Sequence, residues 1–231
     1  MKIVSNTKLI RRNKKIGQGL TFGALLILGI GLYFSFTQPE QVTITFGALL
    51  FGFLMTQIGI YFGNRWGRSP RPDELLTAGL KGLEDKYTLY HYTADIPHAL
   101  IGPTGIFALI PISVAGTILY DEKKGRFKQK GGNLYLRIFG QENLGRPEMD
   151  AQYTVSDLEK FLRKKFSDVE IPPIEPILVF THPKANVDAN GSPVSAMPLE
   201  KLKDNIRKRE KSLPLTIVQQ IQKGLPLEDI E

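Results

Sequence analysis

The sequence predicts an α/β domain carried on a two-helix membrane hairpin. Three observations carry that expectation: two uncharged runs of 21 residues near the N-terminus, an order of helix, three strands, helix and strand after them, and a basic excess confined to the apolar part. Residues 1–70 hold eight Lys or Arg against a single acid, Glu40, while residues 71–231 hold 22 basic and 22 acidic residues. The net charge of +7 therefore flanks the apolar runs and leaves the rest neutral. Bulk charge gives no argument for counterion release from a phosphate backbone, and nucleic acid is not an expected partner. The absence of cysteine excludes disulfides, cysteine zinc sites and thiol nucleophiles.

Taken in order, residues 1–15 read as a basic cytoplasmic leader. Residues 16–36 and 42–62 are long enough to cross a hydrocarbon core as helices, with "TQPEQ" between them suited to a tight turn. Six basic residues precede the first run, Arg65, Arg68 and Arg71 follow the second, and none lies between. That asymmetry puts both termini and the following domain on the cytoplasmic side of a cell membrane, with Tyr61 and Trp66 at the headgroups and residues 63–71 as a juxtamembrane linker. A cleaved signal fits less well, because the first run is long for one, no small-x-small site follows it, and a second run comes at once. The lipid bilayer is thus the first expected partner. "TFGALL" occurs at 21–26 and 45–50, and Gly19 with Gly23 and Gly59 with Gly63 recur at helical spacing. Such small residues would permit a homo-oligomer, but packing of the two helices on each other explains them as well and is preferred. No ionisable residue sits within either run, so a transport path has no side chain to carry it.

Beyond the linker, 71–85 carries leucines at helical spacing behind Pro72 and two acids. "YTLYHYTA" (87–94), "IPHALI" (96–101) and "IFALIPIS" (106–113) form a meander punctuated by Gly102, Pro103 and Gly105. "GTILY" and "RFKQK" make a hairpin turning at "DEKKG", before a looser stretch that ends near Pro147. Residues 148–166 read as a helix with a capping pair in Ser156 and Glu159. "EPILVFTH" (175–182) reads as a strand buried on both faces. A Gly/Asn loop, the strand "SPVSAM", the charged helix 199–211 and a tail, 212–231, with a short amphipathic helix complete the chain.

At "DIPHALIGPTGIFALIPISVAGTI" the sequence resembles the nuclease-related domain, NERD, a branch of the PD-(D/E)XK nuclease-like fold. Gly105, Ile106, Phe107 and Gly116 match that family's frame, His98 falls on its His, and the element order over 72–211 matches its α-β-β-β-α-β core. The resemblance implies a domain built for phosphodiester hydrolysis, with carboxylates holding magnesium or manganese and a lysine beside the attacking water. Its three catalytic places are substituted: the family's Asp falls on Pro97, its Glu on Ile110 and its Lys on Ile112. Glu74 matches an acid often present in the first helix, but one carboxylate does not hold the ion alone. Strand residues two apart share a face, so Ala108, Ile110 and Ile112 point one way and Phe107, Leu109 and Pro111 the other, and both faces are apolar.

The expected function is therefore a membrane-anchored, catalytically inactive member of that family that binds a ligand or protein partner or assembles in the bilayer, without cofactor. The alternative is a divergent tethered nuclease in which Asp95, Glu122 and Lys124, with Glu74, rebuild a site for magnesium or manganese. Against it, "DEKKG" has the composition of an exposed turn, which seldom gives a metal site rigid support. His91, His98 and His182 form no short zinc spacing and read as structural. "VDANGS" (187–192) lacks the later ligands of a calcium loop. The cations of 199–211 read as a solvated face.

Overall fold

The structure, a computed structural model of the chain, describes all residues except 94–95, 133–142, 168 and 231. The chain divides into two compact units, Lys8–Arg71 and a second built from Met1–Thr7 together with Pro72–Glu231.

In the first unit, helix α1 (Thr7–Thr37) and helix α2 (Val42–Phe62) are long and apolar enough to cross a membrane, and most of their large apolar side chains are exposed. α2 runs on into one π-helical turn, Gly63–Gly67. The small residues sort by direction. A Cβ on Gly31 would stand 2.8 Å from Ala48, and one on Gly52 2.7 Å from Leu28, whereas Gly19 and Gly63 meet nothing. The helices thus approach through their inward glycines, and the pairs Gly19/Gly23 and Gly59/Gly63 each divide between an inner and an outer position. The hydroxyls of Thr21 and Thr56 donate to the carbonyls four residues back, which satisfies them without water. Trp66 is buried, its ring 5.0 Å from the Phe62 ring and from the Arg65 guanidinium.

The second unit opens on a strand that the expected basic leader hid. β1 (Lys2–Ser5) pairs in parallel with β2 (Thr88–His91), although more than 80 residues and both apolar helices separate them. Val4 is fully buried there. Helix α3 (Pro72–Gly79) is shorter than the leucine spacing suggests, ending at a glycine before a turn. β3 (His98–Gly102) and β4 (Gly105–Ile112) continue the meander, with Gly102 opposite Gly105 across the two-residue turn Pro103-Thr104. Both glycines are required: Gly105 has φ +146, and a Cβ on Gly102 would stand 2.1 Å from the Tyr87 ring. β5 (Gly116–Asp121) and β6 (Arg126–Lys130) form the expected hairpin. Helix α4 (Pro147–Lys165) starts at a proline with no side-chain cap, so Ser156 is mid-helix and Glu159 bonds Arg163 one turn on. β7 (Ile174–Phe180), β8 (Ala185–Asp188), β9 (Ser195–Pro198), α5 (Leu199–Lys208) and α6 (Leu215–Gly224) complete the described elements; β8 occupies the start of what reads as a Gly/Asn loop.

The main sheet runs β1-β2-β3-β4-β7-β9, antiparallel around β3 and parallel elsewhere; β6-β5-β8 form a second sheet. One face of the main sheet carries Val4, Tyr90, Ala99, Ile106 and Ala108 against α4 and α6. The opposite face carries Leu89, Leu100, Phe107 and Leu109 against α3 and α5. β4 is thus the middle layer of an α/β/α stack, which accounts for its apolar letters on both sides. Its Pro111 lies beyond Ala108, where pairing with β3 stops, so the missing N–H removes no bond from that ladder.

Candidate functional site

Ile110 and Ile112, at the expected Glu and Lys places, share the face of Ala108 and are half-buried. Ile110 packs against both the α4 side of the main core and the cluster beneath the second sheet, and Ile112 against the latter, beside Val114, Ile118 and Phe180. A carboxylate at 110 or an ammonium at 112 would have to be desolvated among these carbons. Pro97 is half-buried and uses its carbonyl to accept the Tyr92 N–H at 2.8 Å, closing the loop between β2 and β3.

The polar chemistry of this sheet lies one strand over. Antiparallel pairing sets His91, the last residue of β2, opposite His98, the first of β3. Both are 1 % exposed, and their Nδ1 atoms stand 2.8 Å apart. The Nε2 of His91 lies 3.0 Å from the Thr77 hydroxyl on α3. The Tyr92 ring packs on His98 at 5.0 Å, and Tyr92 has φ +59, a left-handed conformation a tyrosine rarely adopts. Two facing Nδ1 atoms bond only if one ring carries its proton there and the other presents a lone pair. The pair therefore shares one proton, one ring donating from Nδ1 and the other accepting there. Asn6, one residue beyond β1, donates its side-chain amide to the Tyr92 carbonyl at 3.3 Å, and its backbone N–H bonds the His91 carbonyl at 3.0 Å. Residue spacing concealed the pair, because 91 and 98 meet through strand register and not along one element. The available signal was two histidines flanking a six-residue loop between strands.

The other expected site residues lie apart. Glu74 is half-buried in the first turn of α3, and Asp95 lies outside the described residues. Glu122 and Lys124 flank the β5–β6 turn and open on different cavities: Glu122 on one lined also by Lys128 and Asp188, Lys124 on one lined by Arg126, Arg146 and Glu148. The Glu122 carboxylate also packs against Gly191, where a Cβ would overlap it. Asp121 bonds the Lys128 ammonium, which holds its carboxyl below the usual range. Among the described residues no group of three or more His, Asp or Glu side chains is placed to hold a metal ion. His182 accepts the Lys184 N–H at 3.0 Å, and Asp188 accepts the Asn190 N–H at 3.3 Å, both within turns.

Several cations of the 199–211 segment also bond within the fold. Lys203 and Arg207 donate to the Lys81 and Gly82 carbonyls just past α3. Arg209 bonds Glu175 and sits 4.9 Å over the Phe107 ring.

No family model, curated protein or solved structure matches the chain.

Proposed function

We propose that this protein is a membrane-anchored, catalytically inactive domain of the nuclease-related kind that works by binding or assembly at the cytoplasmic face of a membrane. The packing of β4 carries the proposal, since Ile110 and Ile112, half-buried against the core clusters, put carbon in the places that metal chemistry would need. The succession α3, β2, β3, β4, α4, β7 agrees with the α-β-β-β-α-β order of that fold, with the β5–β6 hairpin added between β4 and α4. The divergence of Glu122 and Lys124 into separate cavities weighs against a migrated site.

The multi-pass reading draws support from β1. Residues before the first apolar helix and after the second belong to one sheet, so two helices that cross a bilayer must do so an even number of times and return the chain to the side it left. Removal of the first run as a signal would strip β1 and its buried Val4 from that sheet. The positive flanks then make that side the cytoplasm.

The experiment uses the full chain in detergent, because a fragment starting near residue 70 would lack β1. Incubated with manganese and either DNA or RNA, it is expected to cleave neither. Hydrolysis that disappears in Glu122→Ala would establish the nuclease reading instead. Since the chain has no native cysteine, single cysteines at Gln38 and Glu210 also report topology cleanly. A membrane-impermeant maleimide should label position 38 from outside intact cells and position 210 only after lysis.

A further inference from the structure

Helix α1 begins at Thr7, ahead of the apolar run, and has no acid in its first turn. At about 100° per residue, Lys8, Arg11, Arg12 and Lys15 stand at i, i+3, i+4 and i+7 and so share one face of it. All four are exposed. The buried residues of the helix, Ile10, Asn13, Gly17, Ala24 and Gly31, fall on the opposite face, where a Cβ on Gly17 would stand 2.8 Å from Phe62 of α2. Continued past Lys15, the cationic face runs through Gly19, whose Cβ would meet nothing, to Phe22 and Leu26, both 69 % exposed. One column of α1 thus carries charge at its start and bare carbon along the span.

The protein does not answer this charge itself. Among the described residues none of the four cations is paired with a carboxylate, and Glu40, the first acid in the chain, follows the far end of the helix. Lys8 with Arg11 and Arg12, and Lys15 with the same two arginines, are like charges three or four residues apart, an arrangement that destabilises a helix. The N-terminal end of the helix adds its own partial positive charge. Anions bound along the face relieve both. The carbon of the column decides which anions these are. A molecule that meets the cations from along the same face lays its remainder on Phe22 and Leu26, and a phospholipid has that form. A soluble phosphate or a nucleic-acid strand would neutralise the charge and leave the apolar part of the column unmatched.

We propose that the face formed by Lys8, Arg11, Arg12 and Lys15 binds anionic phospholipid, the phosphate oxygens accepting from the ammonium and guanidinium groups while the acyl chains lie along Phe22 and Leu26. This rests on the reading that α1 crosses the bilayer and deepens it by naming the lipid. Lys14, equally exposed but on another side of the helix, lies outside the column and takes no part. The site shares no residue with positions 110 and 112, so it stands or falls separately from the inactivity of the domain.

The test uses the full chain in lipid nanodiscs, with Gly19→Cys carrying a fluorophore. The label is unique because the chain has no native cysteine, and it sits where a Cβ meets open space. Phosphatidylglycerol or phosphatidylcholine bearing a nitroxide high on its acyl chain is added at equal mole fraction, and the ratio of quenching reports which lipid occupies the column. Phosphatidylglycerol should be preferred about fivefold or more, which is roughly the worth of one lysine or arginine near an anionic surface. Arg12→Gln should lower the preference, changing Lys8, Arg11, Arg12 and Lys15 together to Gln should bring it to about one, and Lys14→Gln should leave it unchanged. Equal quenching by both lipids in the parent overturns the proposal while leaving the bilayer crossing intact. A preference that survives in the quadruple variant overturns it too, as does an equal loss at Arg12 and Lys14, which marks diffuse attraction to charge. Quenching by neither lipid means that Gly19 does not face lipid, and sinks the membrane reading along with the site. Duplex DNA that abolishes the preference at equal phosphate concentration reassigns the cations to nucleic acid.

Discussion

Along β4, Ala108, Ile110 and Ile112 meet a layer of helix and sheet side chains, whereas one strand away the facing ends of β2 and β3 bury two histidines, one of them bonded to the half-buried Thr77 hydroxyl of α3. Both places belong to one sheet and both are largely withdrawn from water, yet one is satisfied by carbon contacts and the other only by complementary protons. A buried apolar strand tolerates any neighbour of the right size. A buried polar chain tolerates none of its members being removed, because each is the other's replacement for water. The difference predicts where this domain is robust and where it is brittle.

The most severe way to break the comparison is to write the missing chemistry back. Ile110→Glu combined with Ile112→Lys places two charges against the α4 and second-sheet cores, and should lower stability by roughly 3 to 5 kcal/mol in urea unfolding. No manganese-dependent cleavage should appear, since no third ligand stands ready among the described residues. A stable double variant that binds manganese would mean that this face is an open cleft and not core.

His98→Ala strikes the polar side. It removes the 2.8 Å contact to His91 Nδ1 in a place with 1 % exposure, and should cost about 2 kcal/mol, the middle of the range for losing a buried hydrogen bond. The nitrogen-15 shifts of the two rings give a separate readout. In the parent protein they should report opposite Nδ1 protonation, one ring protonated and one not. Identical tautomers in both rings would contradict the shared-proton arrangement.

A third test moves pH instead of a side chain. With its phenol pushed up to about 12 by burial, native Tyr90 keeps a proton that the unfolded chain releases near the ordinary value of about 10. The folded state binds more protons across that interval, so stability is complete below it and is lost as pH rises through it. Tyr90→Phe should flatten that alkaline loss in melts between pH 9 and about 11.5, and an unchanged slope would mean the phenol titrates freely in the native state.

What was legible in the residues and what was not divides along the same line. The two apolar helices, the meander and the two apolar faces of β4 are local properties: charge-free runs and alternation along one element. The histidine pair exists only through register between two strands, and spacing counted along the chain could not reveal it. β1 escaped for a related reason. Four residues, "KIVS", inside a basic stretch are too short to display alternation, and the partner at 88–91 lies past both long helices. α4 reads from residue 148, one residue from its actual start at Pro147, but the capping pair read in Ser156 and Glu159 lies mid-helix. Glu122 and Lys124 mislead in the opposite sense, because a two-residue spacing that would align side chains on a strand separates them around a turn.

The smallest expected effect concerns a charge that rests on β4. Arg209 sits 4.9 Å over the ring of Phe107, on the face opposite Ile110, and bonds Glu175 at the same time. Phe107 is 1 % exposed, so the guanidinium covers the edge of the core with its planar, weakly hydrated head. Arg209→Ala should therefore cost about 1 kcal/mol, from a cation–π contact and a half-exposed ion pair together. Arg209→Lys should recover only part of this, because an ammonium neither stacks as well nor bonds in a fork. Lys201→Ala, an exposed residue of the same basic helix, should change urea stability by less than about 0.5 kcal/mol. Equal effects at 201 and 209 would return the whole helix to a solvated face; a clear gap between them marks Arg209 as a lid on the apolar side of β4, so that this strand excludes charge from its interior while using one to seal its rim.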